Sequence, residues 1–314
     1  MYSGSIAVDN IDKVHIASTN GNVIYITNKT GSWESREIIY ASEQTSMALD
    51  SNNTVHIGFC GYPTSHVLST SSPMLWHAHN LNGSWEIEAI DSKSGIGGSP
   101  SIAVDSSNKL HISYYAGDNK DLKYATNISG SWVTTVVDSS GDVGAYNSLA
   151  IDSNNKIHIS YMDSDNNDLK YATNSTGGWE IATIDTTGSV GYFSSIAIDS
   201  KDKAHIGYND LTHGALKYAT NTSGTWQTST IDSGNTGWDA SLVLDNNNYV
   251  YLGYYDPNDR CLKLASNRSG SWDAIVVDNT GDVGSECSIT MDINKIHLTY
   301  FDATNYQIKY AVEQ

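Results

Sequence analysis

A unit of about 47 residues repeats from one end of the chain to the other. Each unit opens with an apolar segment that closes on an aspartate, as at 101–105, and continues with a histidine-containing segment, as at 110–115. The closing aspartates are Asp9, Asp50, Asp105, Asp152, Asp199, Asp245 and Asp292, which lie 41, 55, 47, 47, 46 and 47 residues apart. Repeats of roughly 40 to 50 residues built from four short segments are typical of β-propeller blades.

The segments are short, rich in β-branched and aromatic residues, and separated by Asn, Asp, Ser and Gly, as strands and turns are. We therefore predict an all-β, seven-bladed β-propeller of four-stranded antiparallel blades, forming a single domain over 1–314. The blade repeats begin near 5, 46, 101, 148, 195, 241 and 288. The last unit ends without a Trp-led fourth segment, so its blade is predicted to have three strands. We expect the chain to be a domain excised from a longer protein; a ring that closes on a three-stranded blade is the alternative.

The lengths of the connections predict which side of the propeller is functional. The links between the first and second strands and between the third and fourth are of hairpin length, so these turns share one side. The links between the second and third strands and between blades are longer and more variable, and they share the other side. We call this second side the loop face and predict that ligands bind there.

The turn before the fourth strand places an Asn five residues ahead of a Trp. This pattern resembles the Asp-box turn of BNR and sialidase-type propellers, with Asn in place of Asp. The resemblance implies a propeller fold and a structural role for the turn, with the Trp buried at the blade rim. The pairs are Asn28 and Trp33, Asn80 and Trp85, Asn127 and Trp132, Asn174 and Trp179, Asn221 and Trp226, and Asn267 and Trp272.

The formal net charge of −18 excludes nucleic acid as a partner, because a phosphate backbone would be repelled. No apolar run approaches the roughly 18 residues that a membrane span requires. The sequence predicts no cofactor other than calcium, and it leaves the oligomeric state open. Of the three cysteines, Cys261 and Cys287 are predicted to lie near each other on the loop face, which leaves a disulfide between them open.

Aromatic side chains recur at the predicted loop face. The chain has 20 Tyr and 8 Trp but only 3 Phe, so most of its aromatic rings carry a polar group. Such rings suit sugars or extended peptides; packing against the next blade is the alternative role. The predicted ligand-binding residues are Tyr115, Tyr146, Tyr192, Trp238 and Tyr255, together with His66.

Histidines form a second recurring set. One stands in the second strand of six units: His15, His56, His111, His158, His205 and His297. A catalytic histidine is needed once, so six copies indicate a structural bond to the turn aspartate, with a second bond to the Ser or Gly two positions on. In the second unit, His77 and His79 point to one side of a strand and could join His66 in a metal site or acid–base pair. Sequence drift is the alternative there.

Two further signals belong to the turns. Asp163, Asp165 and Asp168 are the ligand type that calcium prefers, although turn capping explains the same residues. Asn-x-Ser/Thr triplets, which mark glycosylation sites in secreted proteins, coincide with the fourth-strand turn, although turn composition alone can produce them. The glycosylation candidates are Asn28, Asn82, Asn127, Asn174, Asn221 and Asn267.

The arginine content argues against sialidase chemistry. The resemblance implies three arginines that converge on the substrate carboxylate, and this chain has three in total. Arg36 is predicted in a fourth strand, Arg260 in a loop-face connection and Arg268 in a turn on the opposite side, so they cannot meet.

Three functions follow from these observations. The first is a non-catalytic extracellular or cell-surface module that recognises glycan or protein through the loop face. The second is a carbohydrate-active enzyme, either a polysaccharide lyase or a hydrolase. The third is a structural subunit of a surface assembly. Fold alone does not choose among them.

Overall fold

The computed structural model describes residues 4–40, 44–62, 73–81, 83–92, 95–293 and 295–313, apart from the side chains at 40, 96 and 97. Within these ranges the chain forms 27 β-strands and no helix. The described part accordingly contains no helix long and apolar enough to cross a membrane.

The strands pair antiparallel in chain order and form seven sheets in the described part of the chain. Blades 1 to 3 consist of β1 (Gly4–Val8), β2 (Val14–Thr19), β3 (Asn22–Thr27), β4 (Glu34–Tyr40), β5 (Thr45–Leu49), β6 (Val55–Gly61), β7 (Met74–Leu81), β8 (Ser84–Asp91), β9 (Ile96–Val104), β10 (Leu110–Ala116), β11 (Asp121–Thr126) and β12 (Val133–Asp138). Blades 4 to 7 consist of β13 (Val143–Ile151), β14 (Ile157–Asp163), β15 (Asp168–Thr173), β16 (Glu180–Asp185), β17 (Val190–Ile198), β18 (Ala204–Asp210), β19 (Ala215–Thr220), β20 (Gln227–Ser233), β21 (Trp238–Leu244), β22 (Val250–Asp256), β23 (Cys261–Ser266), β24 (Asp273–Asp278), β25 (Val283–Met291), β26 (Ile296–Asp302) and β27 (Gln307–Glu313). The predicted fold is confirmed: a seven-bladed β-propeller whose described strands make six four-stranded blades and a three-stranded last blade.

The chain divides into two compact units, 1–145 and 146–314, which are described separately. In both, the second strand of a blade is buried, and the fourth strand, where the structure describes one, is mostly exposed. Every residue of β18 is buried, whereas β20 of the same blade is exposed over its first four residues. The apolar core of each unit therefore lies between sheets, where one blade packs on the next, as at Phe59 and Tyr25 in the first unit.

The repeated histidines are structural, as predicted. In blade 5, Asp199 Oδ1 accepts the backbone N–H groups of Lys201 and Lys203, both at 2.8 Å. Its Oδ2 lies 3.4 Å from His205 Nε2, and His205 Nδ1 lies 2.6 Å from the Tyr218 hydroxyl. The second partner is thus a third-strand tyrosine, and the prediction of a Ser or Gly was wrong because the ring reaches across to the neighbouring strand. The same bonds recur at His15, His111, His158 and His297.

The Asn turns hold adjacent strands together. Asn221 Oδ1 accepts the Ala204 N–H at 2.9 Å, and Gly224, at φ +93°, donates its N–H to the Asn221 carbonyl. The turn tryptophans, predicted to be mostly buried, are half-buried in five blades and exposed in blade 1, because they lead the exposed fourth strands. One ring face packs on the preceding blade, as Trp226 does on Tyr171 with ring centroids 4.9 Å apart, and Trp33 is 48% exposed.

All three cysteines are buried and none is in a disulfide, so no disulfide joins Cys261 to Cys287. Cys287 lies in the core against blade 6: a Cβ added at Gly253 would be 2.8 Å from its Sγ. Burial raises the pKa of the Cys287 thiol, which keeps it protonated and unreactive.

Candidate functional site

In the second unit, the first strand of each blade begins with a bulge that turns one side chain away from the regular pleat. The pairing register shifts at the start of β17, β21 and β25. A glycine with positive φ precedes each bulge because there is no room for a side chain: a Cβ at Gly237 would lie 2.6 Å from Leu216 Cα. Two residues later comes a non-glycine residue in the left-handed region: Tyr146, Phe193, Asp239 and Glu286, at φ +50° to +53°.

A non-glycine residue in this region is strained, and the strain recurs at the same position in four blades. These positions put aromatic rings in contact. The Tyr146 ring centroid lies 5.3 Å from that of Tyr192 and 4.9 Å from that of Phe193, which lies 5.8 Å from that of Trp238. All four side chains are half-buried, so each keeps an open face. We call these four residues the aromatic patch.

In blades 6 and 7 the same bulge position is occupied by a carboxyl side chain, Asp239 and Glu286. The Glu286 N–H donates to Asp239 Oδ2 at 2.8 Å. Burial raises the pKa of Glu286, and the charge of Asp239 raises it further. Burial also raises the pKa of Asp239, against the opposing effect of its backbone hydrogen bond. The pair therefore holds a proton at a higher pH than ordinary carboxyls do.

The carboxyl pair and the aromatic patch share one environment. Burial raises the pKa of Tyr146, and the charges of Tyr192 and Asp239 add to the effect. Trp238 contributes an indole Nε1 that is buried without a hydrogen-bond partner. A half-open aromatic surface bordered by a protonatable carboxyl pair suits a ligand with apolar faces and polar edges.

The structure thus brings together three of the predicted ligand residues, Tyr146, Tyr192 and Trp238. Sequence reasoning missed Phe193 and Glu286 as site residues. Aligning the repeats at the residue after each Gly-x pair would have found both, because Tyr146, Phe193, Asp239 and Glu286 occupy one column.

Tyr115 and Tyr255 have a different setting. The Tyr115 hydroxyl donates to Asp142 at 2.8 Å, and the Tyr255 hydroxyl donates to Asp282 at 2.6 Å. Both tyrosines are half-buried and hold the connection that leads to the next blade. A role in ligand binding remains a prediction for them. His66 and Asn82 lie outside the described residues.

The predicted calcium residues take part in turn bonding. Asp163 is buried and accepts both the backbone N–H and the side-chain amide of Asn166, at 3.1 and 3.0 Å. Asp165 is exposed and Asp168 is half-buried, and burial raises the pKa of Asp168. Calcium at this turn remains a prediction.

Glycosylation also remains a prediction. Five of the predicted asparagines use Oδ1 to accept the first backbone N–H of the second strand, at 2.8 or 2.9 Å, and all five are half-buried. They are Asn28, Asn127, Asn174, Asn221 and Asn267.

The arginines of the second unit do not converge. Arg260 precedes β23 and Arg268 follows it. A six-residue strand is about 20 Å long, so the two guanidinium groups start from opposite ends of the blade.

Two groups of three metal-ligand side chains occur among the described residues: Asp256, Asp259 and Cys261, and His77, His79 and Glu88. The first already holds a cation, because Lys263 Nζ lies 2.6 Å from Asp256 Oδ2 and 3.8 Å from Asp259 Oδ2. The second group, His77, His79 and Glu88, lies in blade 2, where the other blades carry different residues.

The comparisons with known proteins support the fold. The sequence matches no protein-family profile and no curated relative. Among solved structures, the chain is similar to an ulvan lyase bound to a GlcA–Rha3S oligosaccharide, with a TM-score of 0.66 and 10% identity, covering 96% of this chain and 90% of the other. It is similar to a variant of the Aleuria aurantia lectin in complex with Fucα1-6GlcNAc, with a TM-score of 0.61 and 12% identity, covering 88% and 96%. It is also similar to a Hadza microbial sialidase, with a TM-score of 0.56 and 12% identity, covering 96% and 73%.

Proposed function

We propose that the protein binds a glycan through the aromatic patch, and that it acts outside the cell or at the cell surface. The observation that carries the proposal is the contact among four half-buried aromatic rings of the second unit, two of which, Tyr146 and Phe193, stand at strained positions. A pyranose ring has apolar C–H faces that pack on such rings. Its hydroxyl groups match the carboxyl pair of Asp239 and Glu286. The fucose-binding and polysaccharide-degrading propellers of similar fold support this choice of ligand class.

A glycan array, run with and without calcium, identifies the ligand, and a fluorescence titration then gives its affinity. We expect Tyr146→Ala and Trp238→Ala each to weaken binding at least fivefold, which corresponds to about 1 kcal/mol for an anchoring aromatic. Tyr249→Ala is the matched control, because this tyrosine is 37% exposed in the turn before β22, away from the patch. The control should keep the parental affinity.

The proposal fails if the triple variant Tyr146→Ala, Tyr192→Ala and Trp238→Ala melts cooperatively and keeps the parental affinity. If the chain binds a protein and no glycan, the aromatic patch remains the proposed binding surface but the proposed ligand class is wrong.

One observation favours a second function, that of a carbohydrate-active enzyme. The raised pKa of Glu286 beside Asp239 is the arrangement that general acid–base catalysis uses, with one carboxyl kept protonated and the other available as a base. Glu286→Gln separates the two functions. An enzyme should lose product formation from its polysaccharide and keep binding, whereas a binding module should form no product in either variant.

A further inference from the structure

Blade 2 carries a different third strand from the blades around it. In blades 1, 3, 4 and 5 this strand has a tyrosine and, two residues later, a threonine; in blade 2 the two positions are His77 and His79. Opposite His77 on the fourth strand stands Glu88, where the other four-stranded blades carry Arg36, Thr135, Ala182, Ser229 and Ile275. Three unusual residues therefore meet at one place in a repeated framework.

The three side chains converge. One ligand atom from each of His77, His79 and Glu88 lies within 4.8 Å of the other two. The ring centroids of His77 and His79 are 5.1 Å apart with planes inclined by 17°, and His77 Nδ1 is 3.0 Å from Glu88 Oε1. His79 Nδ1 is buried and has no hydrogen-bond partner. Alternating residues on a strand share a side, which places both imidazoles toward the same point.

A row of hydrogen-bonding groups runs through His56 and His77, and it has one N–H donor fewer than it has contacts. Two imidazole rings, His56 and His77, lie in a row between the carboxylates of Asp50 and Glu88. The row has three contacts, 3.7 Å for Asp50 to His56, 3.1 Å for His56 to His77 and 3.0 Å for His77 to Glu88. Two neutral rings supply two N–H groups, so one contact has no donor. The contact without a donor is the one between His56 and Asp50, because its N···O distance of 3.7 Å exceeds the 3.0–3.4 Å of the other His–Asp pairs.

We propose that His77, His79 and Glu88 bind a divalent transition-metal ion of the Zn²⁺ class. Two imidazoles and one carboxylate are ligands that zinc accepts, with a fourth position left for water. The metal takes the place of the proton between His77 Nδ1 and Glu88, and a change of tautomer in both rings recovers that proton at His56 Nε2, so both imidazoles stay neutral. His77 Nε2–H then donates to His56 Nδ1, and His56 Nε2–H donates to Asp50, as the equivalent histidines of the other blades do. Every contact in the row is then satisfied, and His56 becomes the outer partner that orients a metal-bound imidazole.

The repeat itself supplies the test variants. His77→Tyr and His79→Thr place in blade 2 the residues that the other blades carry, so the fold is expected to tolerate them. The chain is stripped with a chelator, dialysed and titrated with ZnCl₂ by calorimetry. We expect one equivalent of Zn²⁺ on the parent and at least about a 100-fold loss of affinity in each variant. Cys261→Ser should bind as the parent does, because its cluster is a separate one.

Two spectroscopic readings accompany the titration. Co²⁺ in place of Zn²⁺ should give the visible absorption of a four-coordinate N/O site without a thiolate charge-transfer band. Trp132 reports on the same place, because its Nε1–H donates to Glu88 Oε1 at 2.9 Å. Its fluorescence should change on metal addition in the parent and not in His77→Tyr. Absence of Zn²⁺ binding by the parent, or full binding by His77→Tyr, would overturn the proposal.

Discussion

Removing one buried hydroxyl group tests how the blades are held together. The Tyr208 hydroxyl of blade 5 donates to Asp185 Oδ2 at 2.7 Å, and Lys217 Nζ donates to the same oxygen. Asp185 ends the fourth strand of blade 4, so the bonds join two blades of the second unit. Burial opposes ionisation of Asp185, but the bonds from Lys217 and Tyr208 outweigh it and lower the pKa of Asp185. We expect Tyr208→Phe to destabilise the protein.

The magnitude follows from the setting of the bond. Tyr208 is fully buried, and the side chain of Asp185 is 3% exposed. A hydrogen bond to a charged group contributes about 1.5 to 3 kcal/mol, and burial places this one in the upper half of that range. Blade 7 contains the same bond between Tyr300 and Asp278, also at 2.7 Å. There the side chain of Asp278, which ends the fourth strand of blade 6, is 10% exposed. Tyr300→Phe should therefore cost less than Tyr208→Phe, about 1.5 kcal/mol, at the lower end of that range.

Urea unfolding followed by fluorescence measures both costs from the shift in midpoint at constant slope. Tyr192→Phe is the surface control, since its hydroxyl lies 3.4 Å from Ser189 Oγ on a half-buried side chain, and its effect should stay below about 0.5 kcal/mol. A cost below about 0.5 kcal/mol for Tyr208→Phe, or a cost of Tyr300→Phe larger than that of Tyr208→Phe, would refute the reasoning.

The pH dependence gives an independent check of the same bond. A carboxylate with a lowered pKa contributes stability that is present above its unfolded pKa and is lost as the pH falls through its folded pKa. The difference between the parent and Tyr208→Phe should thus be constant near neutral pH and shrink below about pH 4. A difference that grew on acidification would mean that Asp185 is not the acceptor.

Three further predictions concern the turns and the site. Gly237→Ala should destabilise the protein by several kcal/mol more than Gly224→Ala in parallel melts: both have positive φ, but only Gly237 is packed against backbone. Trp226→Ala should cost about 2 kcal/mol in urea and Trp33→Ala less than about 1, because Trp33 is 48% exposed. The parent should lose stability as the pH rises, and Glu286→Gln should not. The reason is that a carboxyl whose folded pKa is raised stabilises the fold below its unfolded pKa, and this stability is lost as the pH rises through the folded pKa. A parent whose melting temperature stays constant from about pH 4 to about pH 8 would contradict this last prediction.

The local structure of this chain could be predicted because the same turn and strand residues recur in six or seven units. Asp, His and Asn recur at fixed places in short apolar segments, and each makes its bond within a turn or to an adjacent strand. Asp199 with His205 and Asn221 with Ala204 are examples. These bonds span few residues, so sequence spacing is sufficient to specify the blade, its strand order and the three-stranded last blade.

The site was only partly predictable, because its residues meet between blades. Phe193 touches Tyr146 and Trp238, and Glu286 faces Asp239, about 47 residues away in each case. Whether such side chains touch depends on the left-handed backbone at the bulge, which turns a residue out of the alternating pattern of a strand. The His77 cluster was visible as an exception in the sequence, but its partners Glu88 and His56 lie on adjacent strands. Sequence determined the blade by itself because the bonds of the blade are local, and tertiary structure decided the site because strand register and inter-blade packing set its distances.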